Sequence, residues 1–167
     1  MEVFANSDIG KVRSINEDTY YIADDEIGID IYIVSDGMGG YNGGEVASKL
    51  AVQSVRNYIL SNYEETDKSR ESLLKLVKAS VQYANMIVHD KAISTTDAKK
   101  MGTTLDVCLI NQGKLYIGHV GDSRIYRIRK EYMRKLTKDH SYVQQLLDEG
   151  KITKEQSATH PDRNMLM

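Results

Sequence analysis

The sequence predicts an α+β fold, with antiparallel sheet layered against helices. Short strand-like runs come before any helix, and two long segments with helical spacing of apolar residues follow. The chain then returns to strand patterning joined by tight turns. In order, strands are expected at Val3–Ser7 and Thr19–Ala23. A third, Ile29–Ser35, is almost continuously apolar or aromatic, as a strand covered on both faces would be. It stops at Asp36-Gly37, a turn signal.

In the first helix Val46, Leu50, Val55 and Ile59 recur close to helical spacing. In the second, over about Lys68–Ala92, Leu73, Leu74, Val77, Val81, Ala84 and Val88 form an apolar stripe, with Asp67 as its cap and Glu71 in its first turn. After the polar loop Ser94–Lys100, Leu105, Val107 and Leu109 alternate, and Asn111-Gln112-Gly113 turns the chain into Leu115–Val120. Gly121-Asp122 breaks that run before Ile125, Tyr126 and Ile128, and a turn at Lys130-Glu131 leads into Tyr132–Leu136. A helix over Tyr142–Glu149, a stop at Gly150 and a capping-box start at Thr153-Lys154-Glu155-Gln156 complete the pattern.

Length and composition narrow the function classes. With 167 residues, 41% hydrophobic and 28% charged, the chain suits one globular domain, 1–167. A net charge of −2 gives no nucleic-acid footprint, and the basic run Arg124–Lys130 alternates like a strand with one solvated face. Cys108 is the single cysteine, which excludes an internal disulfide and fits a reducing compartment. No basic leader precedes an apolar run and no stretch is long enough to span a bilayer, so a soluble, cytoplasmic protein without membrane contact is expected.

Four acidic clusters carry the chemistry. In Ile31-Tyr32-Ile33-Val34-Ser35-Asp36-Gly37-Met38-Gly39-Gly40, a carboxylate at the end of a strand is followed by glycines that let backbone approach a ligand. Such an Asp suits a hard divalent cation, with a backbone carbonyl nearby, although the same residues would also serve as a plain Asp-Gly turn. A dinucleotide fingerprint is excluded because Asn42 stands where its last glycine belongs.

In Arg13-Ser14-Ile15-Asn16-Glu17-Asp18, adjacent carboxylates repel unless a cation or Arg13 neutralises them, and Arg13 could fork a phosphate. Alone, this cluster reads more often as a solvated charged loop. Gly118 through Arg124 again sets an Asp, Asp122, at a strand end beside glycine, and Asp139 reads as a loop or capping carboxylate. The four histidines show no H-E-x-x-H pattern, and no G-x-S-x-G elbow occurs, which excludes those zinc and serine hydrolases. Oxygen ligands at strand ends plus one Arg are parts for a Mg or Mn site that activates water against a phosphate ester.

Together these clusters resemble the metal-dependent Ser/Thr protein phosphatases (the PPM, or protein phosphatase 2C-like, family) in their compact bacterial form. The matching segments are Ser7 through Asp18, Val34 through Gly40, Met101 through Thr104, Gly118 through Arg124, Leu136 through Ser141 and His160 through Asn164. The resemblance implies an α-β-β-α sandwich of two antiparallel sheets flanked by helices. It also implies hydrolysis of phosphoserine and phosphothreonine in proteins by water activated on two Mn2+ or Mg2+ ions, opposing a Ser/Thr kinase.

Carried over by position, Asp36 would bridge the metals and Gly37 would offer its carbonyl to one. Glu17 would hold a metal-bound water, Asp18 would support the site, Arg13 would bind phosphate, and Asp122 would help hold a third ion. Met38 stands where many eukaryotic members place a histidine. The segment at about 141–160 matches the family's flap. The family's later Asp-Gly and Asp-Asn motifs do not follow Met167. The chain is therefore expected to be the N-terminal two-thirds of the domain, with incomplete metal shells and with sheet edges open to dimerisation or segment swapping. A non-catalytic module that binds a protein partner is the alternative reading.

Overall fold

A computed structural model describes residues 1–23, 27–39, 43–94 and 101–167. The expected loop at 95–100, together with Gly40 and Asn42, lies outside the described residues. Two compact units are present, Met1–His119 and Val120–Met167.

The first unit is a sheet with helices on one face. Its strands are β1 (Asp18–Ile22), β2 (Asp30–Met38), β3 (Gly102–Thr103), β4 (Leu105–Asn111) and β5 (Lys114–Val120, whose last residue opens the second unit). The order is β1-β2-β4-β5, with β3 also on β2. Each pairing with β2 is antiparallel. Gln112 (φ 50°) and Gly113 (φ 72°) make the tight turn between β4 and β5, both in the left-handed region that matches strand twist.

Helices α1 (Gly43–Asn62) and α2 (Arg70–Ser94) connect β2 to β3. Ile31 and Ile33 of β2, Val107 and Leu109 of β4, Val55 and Ile59 of α1, and Leu73 and Val77 of α2 are fully buried together. Each such side chain contributes about 1.5–3 kcal/mol relative to exposure. No helix among the described residues is long and apolar enough to cross a membrane.

Several local expectations give way to tertiary context. Val3–Ser7 forms no strand: Phe4 is 89% exposed, and a strand needs a neighbour to take its backbone hydrogen bonds. The third predicted strand does not stop at Ser35 but continues to Met38, because Gly37 and Met38 pair with Thr103 and Gly102. Nor is it covered on both faces. Burial alternates along it, and Val34 is 52% exposed on the face away from the helices.

In α1 the core-facing residues include Ala47, Ser48 and Ala51, whereas Val46 points to solvent. Small side chains there let the helix lie close to β2. In α2 Leu74 is exposed and Leu76 is buried in its place. Ser69, rather than Asp67, caps the helix, its hydroxyl accepting the Ser72 N–H at 3.3 Å.

In the second unit, β6 (Tyr126–Arg129) and β7 (Tyr132–Lys135) form a hairpin turned at Lys130 (φ 54°). Helix α3 (Tyr142–Asp148) is capped by Ser141, and α4 (Lys154–Thr159) carries the expected capping box between Thr153 and Gln156. Asp139 leaves β7 as an ion-pair hub rather than a cap. Arg124 donates Nε and Nη2 to its carboxylate at 3.1 and 2.6 Å, and Lys135 donates at 2.7 Å.

Burial alone would raise the Asp139 carboxyl, but the Arg124 and then the Lys135 hydrogen bonds outweigh it and hold it below the usual carboxylate range. With its folded pKa below the unfolded one, Asp139 contributes fully above pH about 4, and that contribution fades as pH falls through the lower folded value. Asp139→Asn is expected to cost about 2 kcal/mol at pH 7 and to flatten the acid side of the stability curve. Urea melts at pH 7 and in mild acid check both parts, and an unchanged pH dependence would refute the hub.

Candidate metal and phosphate site

The end of β2, the start of β1 and the loop before it enclose a cleft of about 230 Å³ in the first unit. It is lined by Asp8, Ile9, Arg13, Ile15, Asn16, Glu17, Asp18, Asp36 and Gly37. Five sequence-predicted residues, Arg13, Glu17, Asp18, Asp36 and Gly37, therefore meet in one place. Asp18 and Asp36 come from cross-strand neighbours in the β1–β2 register, so their side chains share one face of the sheet. The plain-turn reading of Asp36-Gly37 is excluded, because both residues lie inside a strand.

Glu17 is held from three sides. Its Oε1 accepts the Gly44 N–H from the first turn of α1 at 3.1 Å. Its carbonyl accepts the Ser48 hydroxyl at 2.6 Å and the Gly37 N–H at 3.1 Å. A carboxylate at a helix N-terminus is favoured by the helix dipole as well as by the bond itself. Arg13 reaches Glu17 Oε2 at 3.4 Å, with its own side chain 71% exposed. That contact is weak in water, so the guanidinium stays available to an incoming anion.

Backbone contact sets the spacing of these parts. A Cβ on Gly37 would fall 2.1 Å from the Gly44 carbonyl oxygen and 2.6 Å from that of Glu17. One on Gly44 would fall 2.4 Å from Glu17 Oε1 and 2.7 Å from the Gly37 carbonyl carbon. Only glycine at both positions allows β2, α1 and the Glu17 loop to meet.

Among the described residues, no group of three or more His, Cys, Asp or Glu side chains is already drawn together at metal-holding distances. The donor chemistry nevertheless fits a hard cation. The cleft offers the carboxylates of Asp8, Glu17, Asp18 and Asp36 and the Gly37 carbonyl, with Arg13 as its one cation. Clustered carboxylates are relieved by a divalent ion, and Mg2+ or Mn2+ prefers oxygen ligands. Asp122 belongs to the second unit, where it follows Gly121 (φ 106°) and is half-buried.

Sequence reasoning did not single out Asp8, Gly44 or Ser48. A serine in the buried phase of α1 was the available signal for Ser48. On the same face of the sheet, Asp106 of β4 stands opposite Val34 of β2. His119 Nδ1 lies 2.6 Å from Asp106 Oδ1, with side chains 10% and 6% exposed. Burial, then the Asp106 charge, pushes the Cys108 thiol up to about 11, which keeps it unreactive.

Residues 11–161 match the family model described as Protein phosphatase 2C. The chain is 37% identical over 163 residues to the serine/threonine phosphatase stp of Listeria innocua, covering 96% of this chain and 63% of that protein. It superposes with a TM-score of 0.81 on the crystal structure of the Mycobacterium tuberculosis serine/threonine phosphatase PstP/Ppp, at 35% identity over 97% of this chain and 64% of that one. The catalytic domain of PstP in complex with two manganese ions matches with a TM-score of 0.75 at 34% identity, covering 91% of this chain and 61% of that one. The chain thus spans a little under two thirds of the length of these relatives. The expected combination of antiparallel sheets and helices is the fold of these structures, and the chain belongs to the protein phosphatase 2C family.

Proposed function

We propose that this chain carries part of the active site of a metal-dependent protein phosphatase that hydrolyses phosphoserine and phosphothreonine. The observation that carries the reading is the cleft itself, where Arg13, Glu17, Asp18 and Asp36 converge in a chain of this family. Asp36, through its carboxylate, and Gly37, through its carbonyl, are the residues that would hold Mn2+ or Mg2+, with Asp18 supporting them; Asp122, in the second unit, would help hold a third ion, as the family resemblance implies. The manganese ions of the PstP catalytic domain support that choice of cation. When bound, such ions polarise the phosphoryl oxygens and lower the pKa of water.

The chain's own residues do the rest. Arg13 presents a planar fork matched to two phosphate oxygens. Glu17, anchored at the α1 N-terminus by Gly44, accepts hydrogen bonds from water in the cleft and orients it toward phosphorus. Met38 has no proton to give, so the leaving alkoxide takes its proton from water. A phosphorylated protein substrate in turn implies a Ser/Thr kinase that made it, in the reducing cytoplasm that a lone cysteine fits.

The family model matches residues 11–161, a span that includes residues of both compact units. That span supports reading 1–167 as part of one phosphatase domain, and the family resemblance makes residues 141–160 its flap. With Mn2+ present, the full-length protein that contains this chain is expected to hydrolyse a phosphothreonine peptide. Asp36→Ala is expected to lower the rate by at least about 100-fold and to weaken manganese binding in calorimetry. A preparation inert between pH 6 and 9 that also binds no manganese would overturn the reading.

A further inference from the structure

The strand ladder beside Asp36 is broken in a particular way. β3 ends at Thr103 and β4 begins at Leu105, leaving Thr104 between them. Thr104 is 2% exposed. Its N–H donates to the Asp36 carbonyl at 2.9 Å, and its side-chain Oγ1 accepts the Asp36 N–H at 2.9 Å. In an unbroken antiparallel pair the second bond would go to the backbone carbonyl. Here that carbonyl is turned instead toward the hydroxyls of Ser35 at 2.7 Å and Thr103 at 3.0 Å.

Those two hydroxyls lie 2.6 Å apart, and Thr103 Oγ1 also reaches the Asp36 carbonyl at 2.9 Å. Each hydroxyl has one hydrogen to give, so they form a short directed chain in which one donates to the other and the other to a carbonyl. Ser35 is fully buried beneath them.

We propose that Thr104, backed by Ser35 and Thr103, is a positioning residue for Asp36. It clamps both polar groups of the Asp36 main chain, so that the carboxylate stays aimed into the cleft. This rests on the reading of Asp36 as a metal-holding residue. A Thr hydroxyl is needed because no apolar side chain of the same shape can accept the Asp36 N–H. Supporting partners of this kind typically change metal affinity by about 10–100-fold.

The test compares Thr104→Val, Thr104→Ser and Thr103→Val in the full 167-residue chain, using manganese calorimetry and amide exchange at Asp36. Thr104→Val is expected to speed Asp36 exchange and to weaken manganese binding by at least about 10-fold, whereas Thr104→Ser stays within about threefold of the parent. Thr103→Val leaves both Thr104 bonds in place and carries the same test at smaller amplitude, should Thr104→Val fail to fold. Parent-like manganese affinity in both valine variants would overturn the clamp while leaving the metal reading intact. Manganese binding undiminished in Asp36→Ala would reject the metal reading, and the clamp's purpose with it.

Discussion

A Gly37→Ala chain is expected to be less stable than its parent by about 3 kcal/mol and to lose most of its affinity for manganese. Two effects oppose each other. Alanine in a strand interior ordinarily recovers about 0.5–1 kcal/mol relative to glycine, through reduced chain entropy. Against that, the three atoms nearest the new Cβ are all backbone, the closest at 2.1 Å, and none can swing aside as a side chain would. Overpacking of this kind costs about 1–3 kcal/mol, and more where nothing yields.

Gly44→Ala makes the sharper comparison. Helix propensity favours alanine by up to about 1 kcal/mol, and the nearest obstacle is only the tip of Glu17. Yet the Gly37 carbonyl carbon at 2.7 Å remains in the way, so this variant should also be destabilised, but by less. Urea denaturation midpoints rank the three chains. A Gly37→Ala protein as stable as its parent would refute the close contact.

The second large effect concerns Asp106 and His119. Removing one member of a buried, hydrogen-bonded pair forfeits that bond, so His119→Leu is expected to cost about 1–3 kcal/mol. Replacing both by apolar residues of similar size should restore much of that loss, because neither partner is then left without the bond. The double-mutant cycle therefore has a predicted sign: the two substitutions together cost less than the sum of each alone. Additive losses would show that the 2.6 Å contact contributes little.

What the sequence made legible was local. The Gln112-Gly113 turn and the Thr153 capping box each depend on residues a few positions apart, and each stands where its pattern placed it. Arg13, Glu17, Asp18 and Asp36 were legible as chemistry, and they do share one cleft. Misread features depend on partners far along the chain. Asp36-Gly37 resembles a turn until Thr103, 66 positions beyond Gly37, pairs with it and prolongs the strand. Gly44 looks like an ordinary helix start, and Ser48 like a misplaced polar residue, until Glu17 is folded against them. Val46 and Leu74 fit a helical period, yet the burial of Ala47 and Leu76 shows that the sheet selected a neighbouring face.

The meeting of Gly37 with Gly44 has a further consequence for how this site tolerates change. Main chain touches main chain there, and main chain is the one part of a protein that substitution does not alter. The separation between the Glu17 seat and the Asp36 strand is thus set by peptide geometry rather than by the fit of interchangeable side chains. Drift in the hydrophobic core under α1 and α2 can alter stability without resetting that separation. The acidic cleft is in this sense insulated from its own scaffold, and the sequence around it is left free to diverge.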